Sequence, residues 1–285
     1  MNQPLSSKEQ AAILRLAHAQ SQVHLHLDWY SLDRWLRHPD LISAVQSQNQ
    51  TMKAFLAAAS QPTSSPNEPK AAWLRFIIPP LSDSNLRAID DLWGNLRSKL
   101  LAAGLATLSL LEIDDWVAGY AQHWGFVQTN SVITFRSADP IPLGTLTKDS
   151  VLIRDSEHAD LPAICQVDWA AFDPIWRYDR EALLAASEQS STCTVLEYKG
   201  QIVGYQMSTR YSGSGHLARL AISPSLQGQG LGALLLDQVI YHFRRRRISV
   251  VTVNTQQDNL YSQRLYGRYG FEFTGHTVPV WTLNL

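Results

Sequence analysis

From residue 231 the apolar positions Leu231, Leu235, Val239 and Phe243 recur every fourth residue, joined by Leu234 and Ile240, and predict an amphipathic helix. A strand is predicted before it at GHLARLAIS (215–223), and a β-branched one after it at ISVVTVN (248–254). Upstream, TCTVLEYKGQIVGYQMSTR (192–210) is two β-rich runs around Lys199-Gly200, a hairpin pattern. Downstream, NLYSQRLYGRYG (259–270) reads as a helix stopped at Gly270. Strands and helices alternate, so the expected class is α+β or α/β with a mixed sheet flanked by helices.

The same order runs through the other half of the chain. Gly125-Phe126 recurs as Gly270-Phe271, 145 positions on, and that offset serves other elements too. WLRFIIPP (73–80) falls on ARLAISPS (218–225), LATLSLLEI (105–113) on VVTVNTQQD (250–258), and SVITFR (131–136) on HTVPVW (276–281). We read this as two copies of one fold. SADPIPLGTLTKD (137–149), with two prolines and a glycine, is the expected boundary, giving domains 1–140 and 150–285. The Pro/Ser-rich stretch 60–70 is expected to be a loop inside the first.

Composition narrows the classes. The chain has 285 residues, 45% hydrophobic and 17% charged, with a formal net charge of −1. This suits a globular core and gives no general attraction to nucleic acid or to an anionic membrane. No apolar run is long enough to span a bilayer, and the opening MNQPLSSKEQ lacks the basic flank and apolar core of a secretory signal, so a cytoplasmic setting is expected. Two distant cysteines, Cys165 and Cys193, make neither a disulfide framework nor a zinc cluster.

The chemistry concentrates at SPSLQGQGLGALLLD (223–237). Glycines before a helix N-terminus let the backbone close around an anion, and the first-turn N–H groups face it. A phosphate or pyrophosphate cradle follows. It is not a P-loop, because no Gly-Lys-Ser/Thr comes after it. GQGLGA also satisfies a dinucleotide pattern, but SPSLQ separates strand from glycine and no acidic residue lies between Arg244 and Gln257 to hold a ribose.

Gln227-x-x-Gly230-x-Gly232 after LAISP resembles the pyrophosphate loop of the GNAT superfamily of acyl-CoA-dependent N-acyltransferases. NLYSQRLYGRYGF resembles that family's second signature, with Asn259, Tyr266 and Gly270-Phe271, and with Ser262 where the family often has Ala. The close resemblance covers residues 150–285. It implies two GNAT-like domains in tandem and acetyl-CoA as co-substrate, with no metal. Backbone groups of Leu220, Ala221 and Ile222 would hold the acetyl and pantetheine end along a splayed strand. Gly228, Gly230 and Gly232, with Gln227 and the backbone of Gln229, Leu231 and Ala233, would hold pyrophosphate. Asn259 would contact the cofactor chain and Tyr266 would sit by the sulfur. In the first copy the offset puts Ser82, Asn85 and Arg87 in place of Gln227, Gly230 and Gly232, and Ala121 in place of Tyr266, so a degenerate copy is expected there.

Acyl transfer to an amine develops an oxyanion and expels a thiolate. A backbone N–H, such as that of Ile222, suits the first charge. A phenol of pKa about 10 is protonated at neutral pH and can serve the second, the role expected of Tyr266. His216, opening the strand before the cradle, is the candidate base, with an ordered water as the alternative. The acceptor is expected to be a primary amine, with a peptide or protein N-terminus slightly preferred and small-molecule amines also open; oligomeric state is not readable. A non-catalytic acyl-CoA scaffold or sensor and a nucleotide-dependent oxidoreductase are the alternatives. HLHLD (24–28) could place two imidazoles on one strand face for a metal but lacks a second ligand cluster. RRRR (244–247) is expected to be a solvated helix end rather than a nucleic-acid patch. FDPIWRY (172–178) falls where the GNAT resemblance implies an acceptor-side loop, with ordinary packing of Phe172 and Trp176 against the other half as the alternative.

Overall fold

The computed structural model describes residues 4–80, 89–144 and 150–285. The chain divides into two compact units, 1–129 with 278–285, and 130–277.

In the first unit, α1 (Ser7–Ala19) is followed by β1 (His24–Leu25), α2 (Leu32–Leu36), β2 (Leu41–Gln48), β3 (Thr51–Ser60) and β4 (Lys70–Ile78). Then come α3 (Asp90–Ala102), β5 (Leu105–Leu111) and α4 (Val117–His123). Ser6 starts α1 with a capping box, exchanging hydrogen bonds with Glu9. Strands β2, β3 and β4 pair antiparallel, and β4 pairs parallel with β5 across the α3 crossover. The stretch 61–69 is the loop of the β3–β4 hairpin. The core between sheet and helices includes Leu56, Leu74, Leu96, Leu108 and Trp124, with Ala121 buried among them.

The chain goes on through β6 (Val127–Ser137), which enters the second unit at Asn130, and β7 (Val151–Asp155), α5 (Leu161–Ala171), α6 (Arg180–Gln189), β8 (Thr192–Tyr198), β9 (Gln201–Tyr211) and β10 (Ser214–Ile222) to α7 (Leu231–Arg245). β11 (Val251–Gln256), α8 (Leu260–Arg268) and β12 (Glu272–Asn284) complete the chain. Strands β7 to β10 run antiparallel in sequence order, β10 pairs parallel with β11, and β11 pairs antiparallel with β6. The β8–β9 turn is Lys199-Gly200, at φ of 52° and 77°, as a two-residue hairpin of this hand needs. The periodic face of α7 is buried throughout: Leu231, Leu234, Leu235, Val239, Ile240 and Phe243.

The pairing directions of the first unit, antiparallel, antiparallel, parallel, antiparallel, repeat those of β8-β9-β10-β11-β6. At the 145-residue offset β4, β5, α4 and β6 fall on β10, β11, α8 and β12. The units differ from a cut at 140–150 in one respect. Residues 132–137 of β6 hydrogen-bond to β11 and so belong to the second unit, while 280–284 of β12 hydrogen-bond to β5 and belong to the first. Sequence position alone does not reveal this, because a strand belongs to the sheet that satisfies its backbone. Residues 145–149 of the expected boundary lie outside the described residues. Of the part before them, the Leu143 N–H donates to the buried Asp237 carboxylate at 2.8 Å and Arg244 donates to the Pro140 carbonyl at 3.1 Å, so this stretch is tied to α7.

Candidate active site in the second unit

The site begins where two parallel strands part. β10 and β11 pair at Gly215–Val251, His216–Thr252 and Leu217–Val253, and no further. A bulge at Ala218 then bends β10 while its other edge stays paired with β9 through Ile222. Among the described residues, the edge from 218 to 222 therefore has no strand beside it. The Ser223 N–H donates to the Val203 carbonyl on the β9 side. Backbone groups alternate along a strand, so the N–H and carbonyl of Ile222 face the open side, as do those of Leu220. Ala221 faces β9. An extended, amide-containing chain can pair with such an edge as a strand would.

The opening leads to the glycine loop. Gly228 and Gly230 hold φ of 74° and 82°, the left-handed region, and Gly230 is the N-cap of α7. A Cβ at either glycine would meet nothing within 4 Å, so the space in front of them is open. Residues Gln227 to Gly230 are exposed, and Leu231 and Gly232 start the helix with N–H groups that have no upstream carbonyl to bond. The Gln227 side chain donates to the Ile222 carbonyl at 2.9 Å, fixing the loop to the end of the open strand edge. Free N–H groups at a helix N-terminus behind an open, exposed loop are suited to an anion.

α8 packs against the same corner. The Leu265 and Leu220 side chains both lie within 4 Å of a Cβ built on Gly232. The Tyr269 hydroxyl donates to the Ala233 carbonyl in the first turn of α7 at 2.8 Å. This contact was not anticipated from the sequence. Tyr266 is buried beside Phe135 and Phe271. Burial pushes its phenol up to about 12, with a hydrogen bond from Ser262 one turn earlier offsetting part of the rise. It is a protonated group across the physiological range. Asn259 is the N-cap of α8, its side-chain oxygen accepting the Ser262 N–H at 3.1 Å. It thereby fixes the start of the helix that carries Tyr266.

His216 lies in the closed part of the β10–β11 pair, its Nδ1 2.9 Å from the Thr252 hydroxyl oxygen, and burial lowers its pKa. It is neutral near pH 7 and one residue short of the point where the strands part.

On the other face of β10 stands a buried polar cluster that sequence reasoning missed. Arg219 donates from Nε to Asp168 Oδ2 at 2.5 Å and to the Tyr205 hydroxyl at 2.8 Å, and from Nη2 to the Trp176 carbonyl at 2.7 Å. Its guanidinium is 3.8 Å from the Phe172 ring centre and 4.1 Å from that of Tyr178. Tyr205 also donates to Asp168, whose other oxygen accepts the Tyr178 N–H at 3.0 Å. Burial pushes Tyr205 well above its ordinary pKa, and Asp168 adds to that. The loop 172–178 is thus pinned to the strand with the open edge. The available signal was a charge inside each of two apolar runs, Arg219 in LARLAI and Asp168 in LPAICQVDW.

HLHLD takes a different place. His24 and Leu25 form β1, and His26 and Asp28 meet at 3.0 Å beside Arg75, itself 2.8 Å from Asp28. An arginine occupies the space a cation would need. Among the described residues no three or more His, Cys, Asp or Glu side chains group as metal ligands. The arginine run ends α7 with Arg244, Arg245, Arg246 and Arg247 exposed. No helix among the described residues is long and apolar enough to cross a membrane.

The chain with these parted parallel strands and a glycine loop at the following helix is similar to known proteins. Residues 161–280 match the acetyltransferase (GNAT) domain family, and the chain carries a GNAT acetyltransferase domain there. An uncharacterized N-acetyltransferase of Methanocaldococcus jannaschii is 27% identical over 123 residues, 42% of this chain and 78% of that one. The spermine/spermidine N(1)-acetyltransferase of Bacillus subtilis is 30% identical over 89 residues, 28% of this chain; the match spans 59% of that relative's length. The solved structure of a tandem GNAT protein from the clavulanic acid biosynthesis pathway covers 96% of this chain and 94% of its own, at 15% identity and a TM-score of 0.58, a likeness of fold.

Proposed function

We propose that the second unit transfers an acetyl group from acetyl-CoA to a primary amine. The observation that carries this is the unpaired edge at 218–222 ending at the Gly228–Gly232 cradle. The edge offers backbone N–H and carbonyl groups to an amide-containing chain, and the cradle offers helix N–H groups to a pyrophosphate. Acetyl-CoA supplies the acyl group as a thioester. The Ile222 N–H, facing the open side, would stabilise charge on the acyl oxygen as the amine nitrogen bonds to the carbonyl carbon. Tyr266 holds the proton that the sulfur takes when the carbon–sulfur bond breaks. The amine proton leaves to solvent directly or through His216.

The first unit is read as a copy without this activity: Ala121, in the place matching Tyr266, is a buried methyl. Ser82, Asn85 and Arg87, the other positions that separate the copies, lie outside the described residues. Polyamines, peptide N-termini and small-molecule amines are the acceptors to try, the first because of the Bacillus subtilis relative.

The test is an acceptor panel with acetyl-CoA, read by mass spectrometry of the products and by thiol release. Amine-dependent release with an acetylated product is expected. Acetyl-CoA binding without turnover for any amine favours a sensor or scaffold.

A further inference from the structure

In the first unit β4 and β5 also part. They pair from Lys70–Leu105 to Trp73–Ser109 and no further. Here the gap is filled. β1 lies antiparallel to β4, with His24 opposite Ile77 and Leu25 opposite Phe76. The His26 N–H donates to the Arg75 carbonyl at 2.9 Å. The other edge of β4 is taken by β3 as far as Ile78, so β1 occupies the edge that β5 has left. At the 145-residue offset Arg75, Phe76 and Ile77 correspond to Leu220, Ala221 and Ile222, the open edge of the second unit.

We infer that segment 24–26 of the chain is a built-in occupant of the first unit's opening, so that each chain has a single acyl-CoA site. This rests on the reading of the second unit's opening as that site. A strand edge has one set of backbone groups, and a ligand can use them only if β1 leaves. β1 is held by more than its ladder. The Arg75 guanidinium, 3% exposed, donates to the His26 carbonyl at 3.0 Å and to Asp28 at 2.8 Å. It lies 3.9 Å from the Trp35 ring centre, and Trp35 donates to the Leu27 carbonyl at 2.6 Å. His26 sets its ring edge-on to Trp73 at 4.8 Å. Removing β1 would leave the Arg75 charge short of two acceptors in a buried place. HLHLD thus acts through its backbone and through Arg75.

Two measurements on the full chain test this. In the first, acetyl-CoA is titrated calorimetrically into wild type and Gly230→Glu, whose new carboxylate blocks the second unit's cradle. One site per wild-type chain and none in the variant is expected. Two sites, or one surviving in Gly230→Glu, overturns the inference. No binding to wild type refutes the acyl-CoA reading of the second unit instead. The second measurement does not depend on that reading. Amide hydrogen exchange at His26 is expected to be slow, as in the core strands, and unchanged by millimolar acetyl-CoA. Fast exchange at His26, or protection lost when acetyl-CoA is added, overturns the inference.

Discussion

Arg219 Nε and Asp168 Oδ2 meet at 2.5 Å with side chains 8% and 0% exposed. The pair joins α5 to β10 within the open edge, just past the Ala218 bulge, and the rings of Phe172 and Tyr178 lie against the guanidinium. Breaking a buried pair from one side leaves an uncompensated charge and costs about 3–5 kcal/mol. Asp168→Ala is expected to lose that much, seen as a lowered urea midpoint at unchanged slope. Tyr205→Phe removes one donor to Asp168 and is expected to cost about 1–3 kcal/mol. A loss below about 1 kcal/mol in Asp168→Ala contradicts the assigned role.

Tyr266→Phe keeps the ring packed against Phe135 and Phe271 and removes the hydroxyl alone. In single-turnover acetyl transfer to a proven acceptor, the rate is expected to fall about 10²–10⁴-fold with acetyl-CoA affinity nearly unchanged. With the phenol pushed up to about 12, the wild-type rate should show no alkaline fall from Tyr266 at or below pH 10. A variant that transfers at the wild-type rate removes Tyr266 from the mechanism.

His24 gives the first unit a pH dependence. The ring is fully buried, neither nitrogen has a well-aligned hydrogen-bond partner, and burial lowers its pKa to about 3. The charge of His26 contributes a smaller part of that lowering, and the Leu74 backbone offsets a little. The unfolded chain takes up this proton at its ordinary pKa of 6.5, the folded chain only near 3. Stability from this group is therefore complete above pH 6.5 and lost as the pH falls from there toward 3, by about 1.4 kcal/mol per unit inside the window. Asp28, held below its ordinary range by His26 and Arg75 against the opposing effect of burial, adds its own loss below about 3.8. His24→Leu is expected to flatten the slope between pH 6 and 4 in urea titrations. An unchanged slope assigns it to other groups.

Legibility followed the range of the interactions. α7 and the cradle were readable because helical period and positive φ are local demands, met by Leu231 to Phe243 and by Gly228 and Gly230. The hairpin at Lys199-Gly200 was readable for the same reason. The destinations of β6 and β12 were not, since pairing Phe135 with Val253, or Trp281 with Leu110, spans more than a hundred residues. HLHLD reads as a polar strand face rather than a metal site, but its part in the fold was not legible, because the decisive hydrogen bond runs from the His26 backbone to the distant Arg75. The Arg219–Asp168 pair was visible only as two charges in apolar runs, without a sign that they meet.

In the proposed function acetyl-CoA lies along β10 and across the start of α7. The most direct measurement is amide hydrogen exchange of the whole chain with and without saturating acetyl-CoA. Protection is expected at Leu220, Ile222 and Gly228 to Ala233, with none gained at 74–78. Binding that leaves 220–233 unprotected, or that protects 74–78 instead, contradicts the account.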